Sequence, residues 1–519
     1  MSTAATEPAT GSPARTPAQS PKTKRDRKFE VGGKRVYMIG IGGSGMSGLA
    51  RMLQARGAIV SGSDQAPSEA TQSLVAAGIP VGFEQTAAAF PTDTDLVVAS
   101  AAIKEDHAQW MRAAELGVRV HLYAEALGEC MIGSTGVSIA GTHGKSTTTA
   151  MLGCALTDAG LDPTVILGAT SSQLTNGTFA KTSEPTGFRL GQASIPRGEL
   201  AGRPGLLVAE SCEFNRSFHN FHPTVACISS VEADHLDCYG TFEAVVESFR
   251  EFAQQLPTAS AGGKLLIGHD NAHRREVTAG VDCQVQTIGW SPEADWHVSY
   301  DSMTRHVTVV HDRVVVGSWN NTVPGGHNAI NAATAFVLAT WLGADSEMVQ
   351  KSLSNYRGID RRLQLMGEKA AQKGEKTGVV RVFDDYGHHP TEIDITLRAL
   401  REAERPQDRG GRLICVFQPH QHSRTRHLME AFASSFSQAD VVIVPEIYFV
   451  RDSEEEKQKV TSQDLVDRLR QKNVKANHLY PFGAIVEYLE NLCEPNDVVV
   501  VMGAGPVWQV GRDYLLANA

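Results

Sequence analysis

Two strand–glycine–helix passages, about a hundred residues apart, decide most of what this 519-residue chain can fold into. In the first, an apolar run over 36–41 passes through Gly40, Gly42 and Gly45 into an amphipathic stretch at 46–56. Asp64 closes the next apolar run, nineteen residues after Gly45. In the second, "GVSIA" passes through Gly141, Thr142, His143, Gly144, Lys145, Ser146 and Thr147 into another amphipathic stretch. Such turns belong at the carboxyl edge of a parallel sheet, where N–H groups at a helix start face an anion. The expected fold class is therefore α/β.

The rest of the chain keeps that rhythm. Apolar runs alternate with helical patterns through 35–130, and again after "GVSIAGTHGKSTTTAMLGCAL", with "GLLVAES" and "TVACISSVEADHLD" as further buried strands. Between about 283 and 323 the period changes to two, which predicts antiparallel hairpins. A helix starts near "HNAINAATAFVLATWLG", and from about 345 a third α/β unit carries strands at "RVFDDY", "LICVFQP", "DVVIVPEIY" and "DVVVVMGAG". The Gly-, Ser-, Thr- and Pro-rich stretch 171–204 reads as a long surface loop or an insertion. At roughly 150 residues per domain, the length suggests three domains. Residues 1–30, rich in Ala, Pro, Ser and Thr, read as a disordered tail rather than a transit peptide. They lack the apolar core of a secretory signal, and no later run of about eighteen apolar residues supplies a membrane span. Eight cysteines without a CxxC pair read as reduced, mostly buried thiols of a cytoplasmic protein. A net charge of -10 argues against a nucleic-acid partner, since such binding rests on lysine and arginine neutralising phosphates.

The first turn, followed by an acidic strand end, is a dinucleotide fingerprint that fits NAD and a UDP-sugar equally, because both present a diphosphate. Its candidate contacts are Gly40, Gly42, Gly43, Ser44, Gly45 and Met46, with Ser63 and Asp64 at the next strand end. The second loop is a Walker loop built short, with two residues between Gly141 and Gly144 instead of four. Its parts remain: N–H groups to wrap phosphate, Lys145 to reach the β and γ oxygens, and Ser146 to ligate Mg²⁺. A nicotinamide enzyme has no use for that lysine. Glu210 and His235, each following an apolar run, are the candidate partners of the magnesium, with Glu232, Asp234 and Asp237 as competitors nearby.

The motifs "GIGGSGMSGLA", "GTHGKSTTTAML", "VEADHLD", "GGHNAINAATA", "GIDRRL", "DDYGHHPTEI" and "FQPHQHSRTR" stand in an order that resembles the Mur ligases over roughly 33–515. The resemblance implies a Rossmann-like UDP-sugar-binding domain (31–130), a central P-loop-type ATP-binding domain with a mixed sheet (131–343) and a C-terminal Rossmann-like ligase domain (344–519). It implies an ATP- and Mg²⁺-dependent ligase of peptidoglycan precursor synthesis, and most closely the branch joining L-alanine to the lactyl carboxylate of UDP-N-acetylmuramate through an acyl phosphate. Carried over by motif, Lys145, His235, Arg362 and His388 act in catalysis, Ser146 holds the ATP magnesium, and Glu210 and His235 hold a second one. His327, Asn328 and Asn331 bind adenine, Arg362 reaches the γ-phosphate, and Asp385 serves the ribose or nearby charges. His388, with Arg424 as a second candidate, grips the amino acid. The chain departs from the family pattern at Gln421, where arginine is common, at "GAGPVWQV", where "GAGDI" is commoner, and in the length of the 171–204 loop. No lysine lies between 236 and 263, so the carbamylated lysine of later amino-acid-adding relatives has no counterpart, which suits the alanine-adding branch.

Three other readings stand beside this one. A different Mur-type ligase would add another amino acid or a tripeptide. A nicotinamide-dependent oxidoreductase would leave Lys145, Glu210 and His327–Asn331 without a role. An ATP-gated UDP-sugar sensor would not need Arg362, Asp385 and His388. The partners expected are UDP-N-acetylmuramate and L-alanine, with neither nucleic acid nor membrane, and the protein a monomer or homodimer.

Overall fold

Three sheets carry the chain in a computed structural model that describes residues 29–179, 184–450 and 452–517. All but the last two residues of the expected N-terminal tail lie outside that range. The first sheet runs, in spatial order, Val81–Gly82, Ile59–Ser63, Arg35–Ile39, Leu96–Ala99 and Val120–Leu122, all parallel. Val36, Met38 and Ile39 are buried, as in a parallel strand covered by helices on both faces. The chain leaves Arg35–Ile39 towards one edge and later crosses to the other. The crevice at that reversal holds Gly40–Gly45.

The second sheet has ten strands. In spatial order they are Val314–Asn320, His306–His311, Trp296–Asp301, Gln284–Gly289, Lys264–Gly268, Val225–Ile228, Thr135–Ala140, Leu206–Glu210, Thr164–Ser171 and Thr186–Arg189. The first three pair antiparallel, so the hairpins expected from the period-two pattern are present. They begin only at Trp296, because Gln284–Gly289 runs parallel to Lys264–Gly268. Helices Lys145–Asp158 and Gly326–Trp341 meet over this sheet through alanines (Ala150, Ala155, Ala332, Ala335) whose small side chains allow close approach. The reversal point is Thr135–Ala140, and the short phosphate loop follows it.

One expectation needs correction here. The stretch 171–204 is more than a surface loop: Thr186–Arg189 adds an edge strand, and Leu174 and Ile195 are buried in the central core. Phe188 packs against Gly48 of the first sheet's helix Ser44–Ala55, fastening the two units together. Isolated apolar anchors in a Gly- and Pro-rich context leave no periodic signal. The packing of the central core also runs past residue 343: Val349, Leu353, Tyr356 and Ile359 belong to it.

The third sheet runs Gln364–Lys373, Lys376–Asp385, Val498–Met502, Leu413–Phe417, Val441–Val444 and Ala476–His478, parallel except for the first strand. That first strand, "QLMGEKAAQK", carries no buried residue, which is why hydrophobic periodicity passes over it. Among the described residues no helix is long and apolar enough to cross a membrane.

Candidate active site

The first glycine turn is closed by its own acidic partner. Gly42 N–H donates to Asp64 Oδ2 at 2.7 Å, and Gln65 N–H donates to Oδ1 at 2.7 Å. A side chain at Gly42 would run into that carboxylate and Thr71. At Gly45 an added Cβ would lie 2.6 Å from the Tyr123 hydroxyl, so the third glycine makes room for a tyrosine that begins the helix Tyr123–Met131. Burial, with the Glu210 charge in support, raises the Tyr123 phenol and keeps it a neutral donor. Two candidate contacts face inward instead: Ser63 is fully buried and donates to Gln109 Oε1 at 2.6 Å, and Met46 packs in the first core. At the helix start the N–H groups of Ser44, Gly45 and Met46 are those the helix itself cannot satisfy, whereas Gly40 N–H donates to the Ser63 carbonyl (2.8 Å) and Gly43 N–H to the Gly40 carbonyl (3.3 Å).

The short loop is held from behind by the end of the neighbouring strand Val225–Ile228. Thr142 N–H donates to the Ser230 carbonyl (2.9 Å), His143 N–H to Ser230 Oγ (3.1 Å), and Ser229 Oγ to the His143 carbonyl (2.5 Å). Gly141 packs so tightly on Ser229 that a Cβ would lie 2.1 Å from Oγ, and Gly144, at φ +81°, leaves room for Asn331 Oδ1. Thr142 and His143 thus shape the loop. The first three N–H groups of the helix Lys145–Asp158, on Lys145, Ser146 and Thr147, are those the helix itself cannot satisfy. Lys145 Nζ donates to the carbonyls of Gly141 (2.6 Å) and Thr142 (3.0 Å) and to Glu213 Oε1 (3.1 Å). Ser146 Oγ donates to Glu210 Oε1 at 2.8 Å, and Gly168 N–H fixes the other Glu210 oxygen at 2.7 Å. Hydroxyl and carboxylate together make a hard-oxygen pair suited to magnesium.

A cavity of about 210 Å³ opens over this loop. Gly144, Lys145, Ser146, Thr147 and His143 line it on one side, His327, Asn328 and Asn331 on another, and Arg362 and Asp385 on the third. Residues from the central and C-terminal sheets therefore meet around one space. Asn328 Nδ2 donates to the Pro324 carbonyl (2.8 Å), tying down the start of its helix. Burial, with Arg362 nearby, lowers His327 to about 4, leaving a neutral ring. Asp385 accepts Leu363 N–H (2.9 Å) and Gly387 N–H (2.7 Å), so it first of all shapes the turn that presents Arg362. Burial still pushes its carboxyl up to about 6.

His143 sits between two carboxylates, Nε2 3.4 Å from Glu232 and Nδ1 3.4 Å from Glu392, with the His389 ring 5.0 Å away. Burial alone would lower its pKa, but Glu232 and Glu392 outweigh burial and lift it to about 9. Glu392 also pairs with Arg362 at 3.2 Å, and Thr391 Oγ1 donates to Glu232 at 2.7 Å. Further along the same seam, Arg424 pairs with Asp234 at 2.9 Å, both side chains buried, and approaches His420. Asp234, His235, Gln421 and Arg424 line a small cavity of about 20 Å³. His235 itself is held in the left-handed region at φ +54° with Phe214 edge-on to its ring. His388 lies on the same side; burial, opposed in part by Glu392, holds it down at about 4. Its Nδ1 lies 3.2 Å from the Tyr386 carbonyl, which assigns the hydrogen to Nδ1 and leaves a lone pair on Nε2.

Sequence reasoning did not find Glu213, Ser229, Ser230, Glu392 or Tyr123. The two serines follow an apolar run directly, as Glu210 does, so their position at a strand end was a usable signal. Glu213 and Glu392 carried none, since acidic residues beside a strand or in a first helical turn are commonplace.

Two nucleotide-type cradles at two sheet reversals, with a third α/β unit closing over the second, define a multidomain nucleotide-dependent enzyme. Residues 35–135 match the family described as Mur ligase family, catalytic domain; 139–339 match the Mur ligase middle domain; 361–505 match the Mur ligase, glutamate ligase domain. The chain belongs to the Mur ligase family. It is 36% identical over 487 residues to the UDP-N-acetylmuramate–L-alanine ligase of Geobacter sp. (strain M21), covering 93% of this chain and 97% of that one. It is 35% identical over 485 residues to the enzyme of the same name from Agathobacter rectalis, covering 92% and 97%. In fold it resembles the UDP-N-acetylmuramate–alanine ligase of Thermotoga maritima (TM-score 0.72, 23% identity, 93% and 99% covered) and a murein peptide ligase of Psychrobacter arcticus (TM-score 0.67, 23% identity, 94% and 99% covered).

Proposed function

We propose that this chain joins L-alanine to the lactyl carboxylate of UDP-N-acetylmuramate at the expense of ATP, giving UDP-N-acetylmuramoyl-L-alanine, ADP and phosphate for peptidoglycan synthesis. The observation that carries the reading is the single cavity in which Lys145, the His327–Asn331 helix start and Arg362 converge. It has the parts for a triphosphate: N–H donors, two cations and a neutral ring for a base. The Gly40–Gly45 turn offers the sugar nucleotide's diphosphate a helix start.

A carboxylate resists nucleophiles, so the lactyl oxygen first attacks the γ-phosphorus. The bond to the β-bridging oxygen breaks and ADP leaves. Lys145 and Arg362 face the charge spread over the transferring oxygens, and such transfer depends chiefly on positioning and neutralisation. The alanine amine then attacks the acyl phosphate carbonyl, the C–N bond forms and phosphate departs. His388, neutral and with a lone pair on Nε2, can take the proton that the amine loses. Arg424 keeps guanidinium N–H groups beyond its bonds to Asp234 and His420, and these suit the alanine carboxylate. Ser146, Glu210 and His235 would hold magnesium, which supplies charge neutralisation when bound. The reading is completed by a cytoplasmic enzyme without nucleic-acid or membrane partners, working as a monomer or homodimer; the net charge of -10 supports the exclusion of nucleic acid.

The test is incorporation of labelled L-alanine into UDP-N-acetylmuramate with one ADP and one phosphate released per product. ATP turnover with D-glutamate or a tripeptide, and none with L-alanine, would move the protein to another branch of the family.

A further inference from the structure

Lys145 has three N–H groups, and all three are taken: two by carbonyls of its own loop, one by Glu213. A phosphate that takes the lysine must therefore displace something. The two carbonyls move with the loop, whereas Glu213 arrives from a different segment, just past the strand Leu206–Glu210. It is 2% exposed, with Oε2 2.9 Å from Nζ. Its place is rigid. The Tyr239 hydroxyl donates to the Glu213 carbonyl at 2.5 Å, and the next residue, Phe214, packs edge-on to His235.

A buried carboxylate stripped of its cation is strongly unfavourable, so Glu213 needs a second partner when Lys145 turns to phosphate. One lies close by: His235 Nε2 is 4.0 Å from Glu213 Oε1, and 3.6 Å from Asp234 Oδ2. Magnesium prefers an oxygen-rich shell, and a histidine is its weakest match among Ser146, Glu210 and His235. A carboxylate next to that histidine supplies the missing oxygen character.

We infer that Glu213 is a positioning residue with two partners: it holds Lys145 in the nucleotide-free enzyme and turns to the His235 side, where the divalent cation is held, once the lysine engages phosphate. Nucleotide binding and metal binding are thereby coupled through one side chain. The inference rests on the ATP and magnesium reading above.

The test measures Mn²⁺ binding to the full-length protein by electron paramagnetic resonance, with and without a non-hydrolysable ATP analogue, corrected for Mn²⁺ held by the analogue alone. Wild type is expected to bind Mn²⁺ about tenfold tighter with the analogue present. Glu213→Gln should reduce that coupling below twofold and lower kcat at least tenfold. Its KM for UDP-N-acetylmuramate should stay within twofold, a split that general loss of structure would not give. Glu213→Asp keeps the charge with a shorter reach, and should restore part of the coupling. Wild-type coupling in both variants overturns the inference. A wild-type protein that binds neither Mn²⁺ nor the analogue overturns the functional reading itself, and this inference with it.

Discussion

The two glycine loops share a place in their sheets but work by different physics. Gly40–Gly45 is shaped within the first sheet, by Asp64 accepting Gly42 N–H and by Tyr123 filling the space beside Gly45. No lysine or arginine lies in it. Gly141–Thr147 is braced by Ser229 and Ser230, saturated by Glu213, and faced by Arg362, Glu232 and Glu392. On the proposed function, the first would recognise by shape and helix-end dipole, the second by charge. A diphosphate that only has to be held needs the former. A phosphoryl group that has to be transferred needs the latter, since its charge moves during the reaction.

The largest test of this contrast is Lys145→Ala. Loss of the central cation should lower kcat by about a thousandfold or more, roughly 4 kcal/mol, while calorimetry finds UDP-N-acetylmuramate affinity within twofold of wild type. Wild-type rates of ADP release would break the contrast outright. Because buried Glu213 loses its cation, the variant should also be less stable by up to about 3–5 kcal/mol.

Next comes pH. His143 faces Glu232, Glu392 and His389, with Arg362 behind Glu392, and its folded pKa of about 9 lies above the ordinary 6.5. The folded state therefore binds the proton more tightly. The stabilisation is fully present below pH 6.5 and disappears as pH rises through about 9. Its size is about 3 kcal/mol. Thermal unfolding of wild type and His143→Asn from pH 6 to 10 should show the gap between them closing over that window; a constant gap would mean His143 is not ionised there.

Shape at the first loop is probed by Gly45→Ala, whose methyl meets Tyr123. Overpacking of this kind costs about 1–3 kcal/mol and should appear as a KM for the UDP-sugar raised about tenfold at unchanged KM for ATP. The smallest effect belongs to Ser63→Ala. The Gln109 oxygen then loses its buried donor, at about 1 kcal/mol of stability, and substrate affinity should not change. A large rise in KM would return Ser63 to the binding surface.

Much of this site was legible because the chemistry of phosphate recognition is local. Glycines, a lysine and a serine must follow one strand within a few residues, so Gly141–Ser146 can be read from the chain alone, as can the HNxxN helix start. What escaped was contributed across sheets. Glu392 reaches His143 from 249 positions away in the chain. A strand end has two faces, and only packing shows that the Ser63 hydroxyl points to Gln109. The bonds of Asp385 to the Leu363 and Gly387 backbone form within the third unit, whereas the pairing of Arg424 with Asp234 depends on how that unit docks.

The amino-acid sequence alone determined the α/β class, the two phosphate-type turns and the family motifs, because strand, turn and helix start are set by neighbours in the chain. Tertiary structure decided which charges meet. Lys145 with Glu213, His143 between Glu232 and Glu392, and Arg424 against Asp234 are pairings between distant segments. Electrostatic energy depends on separation and burial in space, and neither quantity is written in residue order.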